Sequence, residues 1–260
     1  MTDKTFRFND YHSIALEKQK VGFRLNATAT VTQLEEFDNT FIAVSMEGTD
    51  VAASDNGRMT WDKDDKRGFY LERVDIGISI DDPSYYVAVD SPATTMGSES
   101  TTSSSQLDLN VNAGTFGPVP TGGVAAGVAI GTSFSVSLND WRTENNSRNA
   151  VIMHSLAMAA SEGAPYESAE DLLDTSVGGQ FKGTPLYKVP HISIANLPVL
   201  SSGIFVSKGK QYRDTVLSIG VTVRLASVEK TFEVVETKLD TSSAQKDFKL
   251  RYPLPISLVK

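Results

Sequence analysis

The side chains that most often carry enzyme chemistry are few in this sequence and lie far apart. The 260 residues include three histidines, His12, His154 and His191, and no cysteine. No two histidines have the spacing of metal ligands, and the lack of cysteine excludes disulfides, thiolate metal sites and cysteine nucleophiles. No serine stands in a Gly-x-Ser-x-Gly turn. We therefore expect no enzyme, no cofactor and no metal, and we expect His154 to be a satisfied core residue.

The spacing of apolar residues in 101–141 instead fits a segment that enters a membrane. Apolar side chains alternate there with polar or small ones, first over residues 107–113 and again over residues 124–138. Alternation with a period of two predicts two β-strands, each with one apolar face. Residues 116–123, between the two runs, are rich in glycine and proline and predict a turn. Residues 109–139 contain no Asp, Glu, Lys or Arg.

The two predicted strands are long enough to cross a bilayer. Ordinary strands have about 5–6 residues, whereas a transmembrane β-strand needs about 9–11. An uncharged turn can enter hydrocarbon, where a charge on a barrel costs about 2–4 kcal/mol at the midplane. We therefore predict a hairpin that enters a membrane as part of a shared barrel. The alternative is a long surface hairpin of a soluble β-sandwich.

A transmembrane helix is a second alternative for the same stretch. Gly123, Gly127 and Gly131 are four residues apart, as in helix-packing faces of membrane proteins. Pro118 and Pro120 oppose a helix because proline restricts the backbone before it. The apolar run is also too interrupted for a span of about 20 residues. The strand prediction is therefore preferred.

The composition limits the choice of partner and compartment. The formal net charge is −8 with a pI near 5.0, and no dense basic cluster occurs, so we expect no nucleic-acid partner. The N-terminal residues have no apolar segment of the kind found in Sec signal peptides, and no stretch predicts a permanent membrane helix. Any encounter with a membrane is therefore expected to follow a rearrangement of a soluble form.

The rest of the chain predicts a single elongated antiparallel β domain spanning residues 1–260. Residues 1–20 are polar and unpatterned and are expected to form an N-terminal arm. Residues 165–173, with an early proline and a following acidic run, predict one short helix. Strands are predicted outside the hairpin at residues 21–31, 40–46, 70–80, 85–89, 150–160, 192–195, 204–207, 215–226, 232–235 and 248–252.

Residues 91–141 resemble the insertion region of small β-pore-forming toxins of the aerolysin-like and monalysin-like kind. The shared pattern is a Ser/Thr-rich strand at residues 101–105, an alternating hairpin, a glycine-rich uncharged tip and a serine-rich return strand. The resemblance covers about a fifth of the chain. It implies secretion as a soluble form, assembly into a homo-oligomeric ring and insertion of one hairpin per subunit into the lipid of a target cell. It leaves the receptor unspecified.

The alternation then divides the predicted hairpin into two faces and a tip. The residues expected to face lipid are Leu107, Leu109, Val111, Val124, Val128, Ile130, Phe134, Val136 and Leu138. The residues expected to line the lumen are Asp108, Asn110, Asn112, Ser133, Ser135 and Ser137. The expected tip contains Phe116, Gly117, Pro118, Pro120, Gly122 and Gly123. The competing class is a structural β-protein, such as a filament, capsid or adhesin subunit, that assembles by strand pairing.

Overall fold

The computed structural model describes residues 2–16, 19–33, 38–53, 61–62, 67–95, 101–112, 115–118, 128–138, 141–161, 164–167, 196–232 and 237–258. The strands of this part of the chain are β1 (Thr2–Leu16), β2 (Gln19–Gln33), β3 (Thr40–Ser45), β4 (Asp50–Ala53), β5 (Trp61–Asp62), β6 (Arg67–Ile80), β7 (Tyr85–Ser91), β8 (Thr101–Asn112), β9 (Thr115–Pro118), β10 (Val128–Leu138), β11 (Trp141–Asn145), β12 (Val151–Met158), β13 (Ala160–Ser161), β14 (Ala164–Pro165), β15 (Asn196–Pro198), β16 (Ser202–Ser207), β17 (Thr215–Phe232) and β18 (Thr237–Leu254). A 3-10 turn at Ile256–Leu258 follows.

The strands form three main sheets, in which every pairing is antiparallel. Sheet A has the order β15-β4-β2-β3-β16-β7, with β1 on the other edge of β2. Sheet B has the order β11-β12-β6-β17-β18, with the short β5 on β6. Sheet C has the order β10-β8-β9, and β13 and β14 form a separate pair. The prediction of a mainly antiparallel β-protein is confirmed.

The main core lies between sheets A and B, where the alternation seen in the sequence places apolar side chains. Odd-numbered residues of β2 are buried there from Val21 to Val31, and so are those of β17 from Leu217 to Leu225. Even-numbered residues of β6 from Val74 to Ile80 face the same core. Leu71 breaks this parity and is fully buried. Its phase differs because the pairing of β6 with β17 shifts between Arg224 and Leu225, which is a β-bulge.

Residues 2–16, within the segment predicted to be an arm, form the fifteen-residue strand β1. Every residue of β1 pairs with β2. Phe8 stacks on Tyr252 of β18, with ring centroids 4.7 Å apart, and the hydroxyl of Tyr252 donates to Asp10 at 3.2 Å. The strand is missed by pattern because its stability comes from backbone pairing and a few aromatic contacts rather than from a continuous apolar face.

The first residue of the helix predicted at residues 165–173 lies in a strand. Pro165 belongs to β14, which pairs with β13, and residues 168–173 lie outside the described part of the chain. The strand predicted at residues 150–160 is confirmed as β12, which pairs with both β6 and β11. The predicted strand at residues 192–195 also lies outside the described residues.

Candidate functional site

Sheet C contains both strands of the predicted hairpin. Its central strand is β8, with β10 on one edge and β9 on the other. The register of β8 with β10 runs without a shift from Thr101 opposite Leu138 to Val111 opposite Val128. Eleven consecutive pairs are therefore formed between segments whose strand character was inferred from alternation alone.

Where β8 ends and β10 begins, the register places apolar residues opposite each other. Val111 lies opposite Val128, and Leu109 lies opposite Ile130. Directly opposed residues of an antiparallel pair lie on the same face of the sheet. Nearer the ends the partners change, since Phe134 lies opposite Ser105 and Val136 lies opposite Ser103. Asp108 lies on the opposite face of β8 from Leu109, and its partner on β10 is Gly131.

Three of the residues predicted to form the tip lie on a strand in this structure. Phe116, Gly117 and Pro118 belong to β9, which folds back along β8 so that Gly117 lies opposite Asn110. Pro118 ends this edge strand, where the missing N–H costs no ladder hydrogen bond. The other tip residues, Pro120, Gly122 and Gly123, lie outside the described residues, as does Val124.

Sheet A carries a second apolar cluster on the face opposite the main core. Phe41, Ala43, Ile204 and Val206 are buried in it, and Tyr86, Ala88 and Val89 pack against them. On β3 the intervening residues Ile42 and Val44 point into the main core. Strands β3 and β16 are thus buried on both faces, which explains their continuous rather than alternating apolar sequences. We call this second cluster the docking face.

Sheet C lies against the docking face. The backbone of β8 runs close to β7 and β16, β10 runs close to β3, and β9 runs close to β7. A sheet face this apolar requires a cover, because exposed contiguous apolar patches lead to association. The sandwich therefore has a third layer, and that layer is the hairpin region.

A Ser–His–Asp arrangement links the sheets at the base of the hairpin. His154 Nε2 lies 3.0 Å from Asp90 Oδ2, and His154 Nδ1 lies 2.9 Å from Ser201 Oγ. A carboxylate only accepts, so the ring donates from Nε2 to Asp90, while Nδ1 and the Ser201 hydroxyl share the second hydrogen bond. The side chains of Ser201 and His154 are 0% and 1% exposed. No substrate can reach this serine, so the arrangement is structural.

Asp90 stays ionised in this partly buried position because it has several donors. Burial by itself raises the pKa of Asp90, but hydrogen bonds from His154, Ser147 and Asn145 outweigh burial and hold the pKa below the ordinary value of 3.8. Sequence reasoning expected His154 to be a satisfied core residue, which is confirmed. It missed Asp90 and Asn145, since no local pattern connects residues so far apart.

Tyr85 and Tyr86 of β7 pack on opposite faces of sheet A. Tyr85 is buried in the main core, and Tyr86 packs on the docking face. The side chain of Trp61 is not described. The helix alternative is wrong for residues 128–138, which form β10. In the part of the chain that the structure describes, no helix is both long and apolar enough to span a membrane.

The architecture is that of a known class. Comparison with solved structures shows that this chain has the fold of small β-pore-forming toxins, as the resemblance at residues 91–141 implied. One similar structure is described as a pore forming protein: 9% of residues are identical, 96% of this chain and 98% of that chain are covered, and the TM-score is 0.62.

Two similar structures are clostridial toxins. The delta-toxin of Clostridium perfringens is 11% identical over 98% of this chain and 92% of its own, with a TM-score of 0.60. The NetB toxin of Clostridium perfringens in its membrane-inserted form is 10% identical over 96% of both chains, with a TM-score of 0.55. No protein-family model and no curated protein sequence matches the chain. The likeness is therefore one of fold.

Proposed function

We propose that this protein is a secreted pore-forming toxin. Its subunits assemble into a homo-oligomeric ring on the lipid of a target cell, and each contributes β8 and β10 to a shared transmembrane barrel. The fold shared with pore-forming toxins supports the class. The observation that carries the proposal is the register of β8 with β10, which pairs apolar with apolar positions across the uncharged half of the hairpin.

In the proposed pore, the register of β8 with β10 continues beyond Val111 and Val128 to form a longer hairpin. Thr115 then pairs with Val124, and Gly117 pairs with Gly122. Each arm of this hairpin has the same length, residues 101–119 and residues 120–138. At about 3.3 Å per residue such an arm is about 60 Å long, which exceeds the hydrocarbon thickness of about 30 Å even when the strands tilt.

Extension requires β9 to leave β8. In the soluble form Gly117 pairs with Asn110, whereas in the extended hairpin its partner is Gly122. Each free edge of the hairpin then pairs with a neighbouring subunit, because only a closed barrel satisfies all backbone groups in lipid. The docking face holds sheet C until that step.

The test uses two engineered disulfides in a chain that has no native cysteine. Cysteines at Asn110 and Gly117 tie β9 to β8, so dye release from liposomes is expected to stop and to return on reduction. Cysteines at Asn110 and Ala129 tie β8 to β10, a pair common to both states, so dye release is expected to continue. Full release with β9 tied refutes the extension.

Dye release by the parent protein tests the class itself. Release together with ring-shaped particles in negative-stain images supports a pore-forming toxin. Ordered polymers without release indicate the structural β-protein that assembles by strand pairing.

A further inference from the structure

The two ends of the hairpin segment meet at one carboxylate. Asp90 lies near the end of β7, the last strand before sheet C. Its Oδ2 accepts hydrogen bonds from Asn145 Nδ2 at 2.7 Å and Ser147 Oγ at 2.6 Å, in addition to the contact with His154. Asn145 ends β11, the first strand after sheet C. The carboxylate thus joins the strand that enters the hairpin to the strand that leaves it.

Backbone contacts join the same two stretches. The N–H of Thr95 donates to the carbonyl of Thr143 at 2.8 Å, and the N–H of Thr143 donates to Thr95 Oγ1 at 3.0 Å. The N–H of Asn145 donates to Thr94 Oγ1 at 2.9 Å, and its side-chain amide also donates to the carbonyl of Pro92 at 3.2 Å. Residues 92–95 therefore lie beside β11.

These contacts differ in kind from those that hold sheet C. The docking face is apolar, and apolar burial is non-directional and tolerates sliding or release. The contacts at Asp90 are directional and several of them involve a charge, which makes them shorter and stronger than neutral hydrogen bonds. The Asp90 side chain is only 19% exposed, so loss of a donor would leave a poorly solvated carboxylate.

We propose that Asp90, Asn145, Ser147 and His154 are positioning residues that form a fixed anchor for the hairpin. The anchor holds residues 92–95 against β11 in the soluble form and in the pore alike. Conversion then moves only the chain between Thr95 and Trp141, and every subunit in the ring presents its hairpin from the same fixed base. This inference rests on the proposed pore-forming function.

The first test joins Thr95 and Thr143, one on each side of the hairpin segment, by a covalent link. Cysteines at both positions are joined by a disulfide or a short bis-maleimide, and joining is verified by mass spectrometry. If the two ends never separate, the bridged protein releases dye within about twofold of the unbridged rate. If cross-linking abolishes dye release, the two ends must separate and the proposal of a fixed anchor is wrong. A parent protein that releases no dye contradicts the pore-forming function instead, before the bridge is considered.

The second test measures which backbone amides change their protection when the pore forms. Hydrogen exchange is compared between the soluble protein and the membrane-bound ring. The amides of Thr95, Thr143 and Asn145 are expected to keep their protection, whereas those of β9 change because β9 leaves β8. If the amides of Thr95, Thr143 and Asn145 lose protection in the membrane-bound ring, the anchor opens and the inference is wrong.

A paired substitution separates anchoring from general stability. Asn145→Asp places two carboxylates against each other and is expected to lower the dye-release rate at least tenfold. In the double variant with Asp90→Asn, residue 90 carries the amide and residue 145 carries the carboxylate. This exchanged pair should recover most of the lost dye-release rate. Unfolding midpoints are measured alongside. A double variant no better than Asn145→Asp, at equal stability, excludes a positioning role for this pair.

Discussion

Gly203 and Ile152 lie so close that a Cβ at Gly203 would overlap the Cδ1 atom of Ile152. Gly203 is on β16 of sheet A and Ile152 is on β12 of sheet B, so this is where the two sheets approach each other beside the anchor. Gly203 also lies opposite Asp90 in the pairing of β16 with β7. The glycine is needed for close approach of the sheets.

Gly203→Ala is expected to destabilise the protein by about 1–3 kcal/mol, the usual cost of overpacking a core. The carbonyl of Val89, 3.1 Å from the added methyl group, prevents relief by movement of Ile152 alone. Gly77→Ala is the matched control, because a Cβ at Gly77 has no neighbour within 4 Å. Urea unfolding measures both. Equal changes in the two variants contradict close packing at Gly203.

Ile130→Asp is expected to block dye release while sparing assembly on the membrane. Ile130 lies opposite Leu109 on the predicted lipid face, and a charge there costs on the order of 2 kcal/mol per subunit, multiplied around the ring. Ser133→Asp, at a position of opposite parity, should be tolerated. Liposome leakage and cross-linking of rings give the two readouts. Equal leakage by both variants refutes the assignment of faces.

Asp108→Asn is expected to reduce the cation preference of the pore. Asp108 is the one charged residue between Ser100 and Asp140, and one such carboxylate per subunit makes a ring that favours cations. The reversal potential across a planar bilayer in a salt gradient measures the effect. An unchanged preference in a conducting variant shows that Asp108 does not line the constriction.

Asp90→Asn is expected to lower stability at pH 7 by about 1.5–3 kcal/mol, the range for hydrogen bonds to a charged group. The folded pKa of Asp90 lies below the ordinary 3.8. Its contribution is therefore complete above pH 3.8 and is lost as the pH falls through the folded pKa. The difference between parent and variant should therefore hold down to about pH 4 and shrink as the pH falls further, in urea unfolding followed by tryptophan fluorescence.

The control for this pH dependence is Asp38→Asn, which alters an exposed carboxylate. This substitution is expected to change the unfolding free energy by less than about 0.5 kcal/mol, as exposed substitutions usually do. A gap between the parent and Asp90→Asn that persists unchanged at pH 3 contradicts the assignment of the acid effect to Asp90.

Alternation was sufficient to locate several long strands of this protein. Period two at Val21 and its odd-numbered successors located β2, and the same pattern located β17 and the two hairpin strands, because one face of each had to be apolar. Matching the apolar faces excludes a slip by one residue, which would reverse them, but the pairing of Val111 with Val128 is seen only in the structure. The resemblance to pore-forming toxins rested on the same information.

Other features required the folded chain. Strand β1 has only a short apolar alternation at Phe6 and Phe8 and depends on its pairing with β2. Strand β9 pairs with the edge of β8 that β10 leaves free. The continuous apolar sequence at residues 41–44 allowed a buried strand, but only the layering of three sheets assigned Phe41 to the docking face and Ile42 to the core.

The anchor shows the limit of sequence reasoning most clearly. Asp90, Asn145, His154 and Ser201 lie in four separate segments, and none has a neighbour in the chain that marks it as special. Local sequence determines which face of a strand is apolar, because alternation is a property of adjacent residues. Which polar groups share a buried hydrogen bond depends on the distance between strands after folding, and only the tertiary structure decides it.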